Sequence, residues 1–142
     1  MSPPDPQPRG TWLGVDIGGK RIGIARCDPT GTLASPVLVL QVKGRKTDIP
    51  AVAELAAREE AIGIVVGWPV RDDGVITEQT RKAERFATDL KRIVFIPVVL
   101  HDERFTTWEA EQRRPGATDA DAAAVLLEDF LARRVAPKSS TY

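Results

Sequence analysis

The order of apolar segments constrains the fold of this chain more than any other feature. Three short β-rich runs come first, at 11–17, 21–27 and 33–42. The second run alternates with a period of two residues after a Gly-Gly turn, which is typical of a hairpin partner. Helical spacing then alternates with short apolar runs, a pattern that predicts parallel strands joined by helices. The sequence therefore predicts an α/β fold with a mixed five-stranded sheet flanked by helices, in which the first three strands are antiparallel and the last two parallel.

N-cap residues and the spacing of apolar residues predict the helices and strands that follow the first three strands. Apolar residues recur at helical spacing over 48–60. Thr77 and Thr118 are candidate N-caps of two further helices, over 77–92 and 118–134. The remaining predictions are buried strands at 62–67 and 93–100, a short helix at 107–113, and an edge position or bulge at Pro36.

The length of 142 residues suits one domain with a sizeable core. We expect a single domain over 10–135, between a disordered arm at 1–9 and a disordered tail at 136–142. A chain of this length is too short for a two-lobed kinase or dehydrogenase. The composition, 42% apolar and 28% charged, is typical of a globular protein.

Charge and cysteine content exclude several classes of function. Twenty basic residues balance twenty acidic ones, so no whole-molecule field attracts nucleic acid or an anionic membrane, and any such partner requires local clustering. The single cysteine, Cys27, excludes an intrachain disulfide and a cysteine-based zinc site. No run approaches the roughly 18 apolar residues that span a membrane. Residues 1–8 contain four prolines and do not resemble a signal peptide, so we expect a cytoplasmic location.

Three acids stand at the ends of predicted elements. Asp16 ends the first strand, Glu103 follows the last strand, and Asp119 opens the last helix. Strand ends of this kind gather where α/β proteins bind ligands, so Asp16 and Glu103 are expected to point into one region. Simpler roles remain open: Asp16 as a cap of the following turn, and Asp119 as a first-turn acid that stabilises its helix.

Converging carboxylates repel one another unless a cation neutralises them. Mg²⁺ and Mn²⁺ prefer oxygen ligands and also bind substrate phosphates. Two such ions can activate water and stabilise the leaving oxygen in phosphodiester hydrolysis. The three acids are therefore candidates for a two-metal hydrolytic site.

Four segments resemble, in order, the landmark motifs of the YqgF/RuvX family. The family comprises RNase H-like nucleases known as Holliday junction resolvases or as pre-16S ribosomal RNA nucleases. The resemblance implies an RNase H-like fold and a metal-dependent endonuclease that acts on branched DNA, on pre-rRNA or on both. It also implies that Asp16, Glu103 and Asp119 are the catalytic, metal-binding acids. A resolvase that cuts symmetrically is expected to be a homodimer. The segments are LGVDIGGKRIGIA (13–25), VGWPVRDDG (66–74), DERFTTWEAE (102–111) and DADAAAVLLEDFL (119–131).

Two positions depart from the family pattern. Gly19 stands where a small hydroxyl residue is usual, so any substrate contact of that hydroxyl is absent. Asp121 is an acid at a position that is usually uncharged. Because residues two apart on a helix point about 200° apart, we expect Asp119 to be the ligand and Asp121 to be solvated.

Basic residues near the three acids are candidates for binding phosphate. Lys20 and Arg21 lie in the turn after Asp16, and Arg104 follows Glu103. The other candidates are Arg113 and Arg114, in a loop near the predicted site. Two further clusters, around 43–46 and 81–85, are either solvated surface or nucleic-acid contacts. For His101 a structural role is expected, with a general base as the alternative.

Two other functions remain open. Residues 15–20 also resemble the phosphate loop of actin-like sugar kinases and ATPases, which need a second lobe to enclose the nucleotide. A non-catalytic RNA-binding scaffold is the third possibility, although the presence of all three acids argues against it.

Overall fold

The computed structural model describes residues 10–71, 73–103 and 118–135. The described residues form one sheet in the order β3-β2-β1-β4-β5. The strands are β1 (Trp12–Ile17), β2 (Arg21–Cys27), β3 (Ala34–Gln41), β4 (Gly63–Trp68) and β5 (Val98–Asp102), and the helices are α1 (Arg45–Arg58), α2 (Glu78–Lys91) and α3 (Asp119–Val135).

The mixed sheet predicted from the sequence is confirmed. β1, β2 and β3 pair antiparallel, whereas β1 pairs with β4 and β4 with β5 in parallel. β3 is an edge strand, and its register with β2 shifts between Ile24 and Ala25, which face Leu38 and Pro36. Pro36 therefore lies both on an edge strand and at a bulge, because a proline cannot donate the backbone hydrogen bond of a central strand.

The two faces of β1 carry different chemistry because its side chains alternate. Leu13, Val15 and Ile17 belong to the larger core, which α1 and α2 cover. Trp12 belongs to a second core with α3 on the other face. Asp16 has the same parity as Trp12, so it lies on the α3 face of the sheet.

Close packing brings the start of α3 against this face. A Cβ added to Gly23 would lie 1.9 Å from the carbonyl oxygen of Asp119, and one added to Gly14 would lie 3.0 Å from that of Ala123. Only glycine leaves room for the helix backbone there. Since Gly23 is also the register partner of Asp16, the first turn of α3 is placed next to that acid.

The last strand was predicted over 93–100, and the prediction was wrong for 93–97. β5 begins at Val98, not at 93, and Ile93 is 49% exposed. The backbone N–H groups of Ile93 and Val94 both donate to the carbonyl of Leu90, so the apolar run continues the C-terminal turn of α2. Local hydrogen bonds at a helix end thus replace strand pairing.

Other boundaries agree more closely. Thr77 caps α2, as predicted, and it does so in a capping box with Thr80. α1 begins at Arg45, three residues before the predicted start. No helix in the described ranges is long and apolar enough to cross a membrane. The predicted arm (1–9), short helix (107–113) and tail (136–142) lie outside the described residues.

Candidate active site

Asp16 and Glu103 form a pair of carboxyl groups that share a hydrogen bond. Asp16 lies near the end of β1, and Glu103 directly follows β5. Gly67 of β4 lies between these strands, and a Cβ there would approach Glu103 Oε2 to 2.9 Å. The absence of a side chain at Gly67 therefore makes room for Glu103 beside Asp16.

Burial and mutual repulsion raise the pKa of both carboxyl groups. The pKa of Asp16 rises from 3.8 to about 6, chiefly through desolvation and then through the negative charge of Asp119. The pKa of Glu103 rises from 4.5 to about 8, through desolvation and then the charge of Asp16. At neutral pH the protonated Glu103 thus donates a hydrogen bond to the Asp16 carboxylate. Such a pair at a strand end is the arrangement expected of a functional site.

Asp119 lies close enough to Asp16 to raise its pKa, yet its carboxylate has a different partner. Arg21 Nε donates to Asp119 Oδ2 at 2.6 Å, and the arginine side chain is 53% exposed. Arg21, which was predicted to bind nucleic acid, therefore neutralises the charge of Asp119, which was predicted to bind metal. No described lysine or arginine forms an ion pair with Asp16.

The three acids do not converge into a closed metal site. Within the ranges that the structure describes, no group of three or more His, Cys, Asp or Glu side chains could hold a metal ion as arranged. The donor chemistry nevertheless fits a hard divalent cation, because two desolvated carboxyl groups lie in contact and a third lies nearby. A cation between Asp16 and Glu103 would replace the proton that they share.

The predicted phosphate-binding residues are placed only in part. Lys20 is exposed in the turn between β1 and β2, and its carbonyl accepts a hydrogen bond from the N–H of Val42 at 2.9 Å. Arg104, Arg113 and Arg114 lie outside the described residues. The structure therefore places Arg21 on Asp119 and Lys20 in the adjoining turn, and it leaves the other three arginines as sequence predictions.

Asp121 has a structural role that the expectation of a solvated acid missed. Its carboxylate accepts hydrogen bonds from the backbone N–H of Thr118 at 2.7 Å and from the Thr118 hydroxyl at 3.0 Å. The N–H of Asp121 donates to that hydroxyl in return, at 3.3 Å. This reciprocal arrangement is a capping box, and a Thr followed three residues later by an acid is its sequence signal. Asp121 thus anchors the helix start that carries Asp119.

His101 joins β5 to α3. Its Nε2 lies 2.6 Å from Asp129 Oδ2, which also accepts from Arg133 Nε at 3.0 Å. The imidazole meets the ring of Phe130 edge-on, with centroids 5.7 Å apart. These contacts agree with the structural role expected of this histidine.

Two solved structures share this architecture over most of the chain. The structure of Thermus thermophilus RuvC matches with a TM-score of 0.58 and 15% identity, covering 87% of this chain and 95% of that one. A fowlpox virus resolvase in complex with Holliday junction DNA matches with a TM-score of 0.51 and 12% identity, covering 88% and 99%. At these identities the likeness shows the fold. The class that they define for this protein is the RNase H-like α/β fold, and the paired acids lie at the strand ends of that fold.

The particular family follows from the sequence comparisons. The chain belongs to the RuvX family of Holliday junction resolvases, whose family model matches residues 10–133. A relative from Anaeromyxobacter dehalogenans is 39% identical over 86% of this chain and 96% of its own length. Another from Prochlorococcus marinus is 36% identical over 92% and 84%. Both are named "Putative pre-16S rRNA nuclease". The family favours a nuclease over the actin-like ATPase and the non-catalytic scaffold.

Proposed function

We propose that this protein is a metal-dependent endonuclease that hydrolyses phosphodiester bonds in structured nucleic acid. The observation that carries the proposal is the contact between Asp16 and Glu103, two desolvated carboxyl groups with raised pKa values at the edge of an RNase H-like sheet. A stable fold gains nothing from such a pair in isolation, because burying acids in contact is unfavourable. Binding of a divalent cation, which in turn holds a substrate phosphate, would account for two buried carboxyl groups in contact.

Asp16, Glu103 and Asp119 are the proposed ligands of Mg²⁺ or Mn²⁺, with two ions bound in the active complex. The bound metal supplies a water of lowered pKa and stabilises charge on the phosphate oxygens. Asp16 lies on β1, the central strand of the sheet, so its carboxylate has a fixed position relative to the other proposed ligands. Glu103 would have to lose its proton to hold a cation, so metal binding would be favoured at higher pH.

Arg21 and Lys20 are the proposed phosphate contacts. A cation held by Asp119 would compete with the Arg21 guanidinium for that carboxylate, so Arg21 would be released from the pair. The freed guanidinium can then form charge-assisted hydrogen bonds with a phosphate beside the cut bond. Arg104, Arg113 and Arg114 are proposed to extend the same phosphate-binding surface.

The proposed substrates are a four-way DNA junction and the precursor of 16S ribosomal RNA. The first is supported by the family and by the fowlpox virus resolvase complex, the second by the names of the relatives. Symmetric resolution of a junction needs two active sites, so a homodimer is proposed on that substrate. Light scattering with and without junction DNA measures the oligomeric state.

A cleavage assay tests the function. The wild type, Asp16→Asn, Glu103→Gln and the control Glu54→Gln are compared on a four-way junction, a pre-rRNA fragment and linear duplex DNA with Mg²⁺ or Mn²⁺. Glu54 is exposed on α1 and distant in sequence from the three acids. Cleavage by the wild type and the control, lost in both site variants, supports the proposal. Cleavage by Asp16→Asn at the wild-type rate contradicts it.

A further inference from the structure

A cleft lies on the face of β1 opposite to the paired acids. Its cavity has a volume of about 290 Å³, and its floor is formed by Ile17, Ile22, Val42 and Phe86. Ile17 follows Asp16 in β1, and adjacent side chains of a strand point to opposite faces. The cleft and the acids therefore share one strand end, one residue apart along the chain.

The rim of this cleft is cationic although the whole chain is neutral. Arg45, Lys82 and Arg85 line it, and Arg45 pairs with Asp89 at 3.2 Å. Lys82 forms no ion pair in the described part of the chain. Arg85 pairs with the exposed Glu78 at 2.8 Å. Exposed pairs of this kind are weak, so a phosphate oxygen can replace the carboxylate.

Hydrogen bonds hold the walls of the cleft in place. The buried carboxylate of Asp48 accepts from the backbone N–H groups of Lys43, at 3.1 and 3.2 Å, and of Gly44, at 3.0 Å. On the other side, Gln79 Nε2 donates to the carbonyl of Ile17 at 2.7 Å. The loop before α1 is thus tied to the first turn of α1, and the start of α2 is tied to the end of β1, so hydrogen bonds hold both walls of the cleft.

A backbone hydrogen bond connects the turn after Asp16 to the cleft. Val42 lies in the floor, and its N–H donates to the carbonyl of Lys20. A neighbouring cavity of about 370 Å³ lies along α2, and its charged lining consists of four arginines and two acids: Arg45, Arg81, Arg85, Arg92, Glu84 and Asp89. Arginines outnumber acids in this second cavity, so a phosphate chain that occupies the cleft can continue along α2.

We propose that this cleft binds unpaired nucleotides of the substrate next to the cut bond, with a base on the apolar floor and phosphates on Lys82 and Arg85. The proposal rests on the nuclease function proposed above. A cationic groove alone would suit the backbone of a duplex, whose base faces are stacked and hidden. An apolar floor under a cationic rim matches single-stranded nucleic acid, which offers both a base face and a phosphate.

A binding experiment without cleavage tests the proposal. Lys82→Ala and Lys91→Ala are each placed in the Asp16→Asn protein, and Lys91 is the matched control because it ends the same helix. The probes are fluorescein-labelled branched oligonucleotides, as DNA and as RNA, whose arm next to the branch is either paired or has four unpaired nucleotides. Anisotropy is titrated over a series of salt concentrations.

We expect Lys82→Ala to weaken binding of the unpaired probe about fivefold at low salt, the order of one exposed charged contact. The slope of log K against log salt should fall by about 0.7, the value for one phosphate contact on a single strand. Val42→Asp, which puts a charge in the floor, should weaken the same probe while its melting temperature reports that it is folded. Lys91→Ala should match the parent, and the paired probe should be unaffected by all three changes.

Two results would overturn the proposal. Equal effects of Lys82→Ala and Lys91→Ala would show that the cleft makes no contact. Equal weakening of the paired and unpaired probes would assign the cations to a duplex backbone. If the Asp16→Asn parent binds no probe at all, the result contradicts the proposed nuclease function itself. If the parent binds the probes and Lys82→Ala has no effect, the result contradicts only the proposed role of this cleft.

Discussion

Replacing Glu103 by glutamine should stabilise the metal-free protein and abolish its activity. The pKa of Glu103 rises from its ordinary 4.5 to about 8 in the fold, because burial and Asp16 disfavour its charge. One pKa unit corresponds to about 1.36 kcal/mol, so ionising this group in the fold costs at most about 5 kcal/mol above pH 8. Glutamine keeps the shape and removes that charge.

The sign of the pH dependence follows from the raised pKa. Below about pH 4.5 the carboxyl group is protonated in both the folded and the unfolded chain, so the variant gains nothing. As pH rises towards 8 the unfolded chain ionises first, and the wild type loses stability that the variant keeps. Since Glu103 is partly exposed and can relax into water, we expect a realised gain of about 1–3 kcal/mol at pH 9.

Thermal unfolding in EDTA at pH 4, 6 and 9 measures this gain. For a domain of this size each kcal/mol shifts the melting temperature by about 4 °C. The gain should shrink in excess Mg²⁺, because the cation neutralises the wild-type pair. The control Glu54→Gln should show no pH-dependent difference. A Glu103→Gln protein that is no more stable than the wild type at pH 9 would refute the reasoning about the pair.

Three further changes test how the site is held together. Arg21→Gln should tighten Mn²⁺ binding in calorimetry, because Asp119 loses its competing partner, and should weaken nucleic-acid binding; unchanged metal affinity would count against the exchange of partners. Gly23→Ala should lower stability by about 1–3 kcal/mol in chemical unfolding, because its Cβ meets the backbone of α3, and should reduce cleavage as well. Asp121→Ala should lower stability by about 1 kcal/mol through loss of the capping box, while Asp121→Asn, which can still cap, should retain most of it. Cleavage lost by Asp121→Asn with an intact fold would assign this acid to the chemistry instead.

Much of the fold could be predicted because its signals are local. Alternation in 21–27 predicted β2, a threonine predicted the cap of α2, and Pro36 predicted an edge position or bulge. The prediction failed at 93–97, where apolar residues follow a helix and their backbone groups bond back to Leu90. An apolar run has the same composition in a strand and in such a turn, so periodicity could not separate them.

By itself, the sequence determined the class of fold and led to the prediction of three site acids, since strand ends, helix starts and motif order are properties of short segments. Only the tertiary structure decided how the acids meet. Glu103 touches Asp16 because Gly67 leaves space between their strands, and Arg21 reaches Asp119 across 98 positions of the chain. Contacts of this kind depend on how closely one element packs against another, and here glycines at Gly23 and Gly67 set that distance. The raised pKa values follow from the same packing, because they come from the burial and separation of groups that are far apart in sequence.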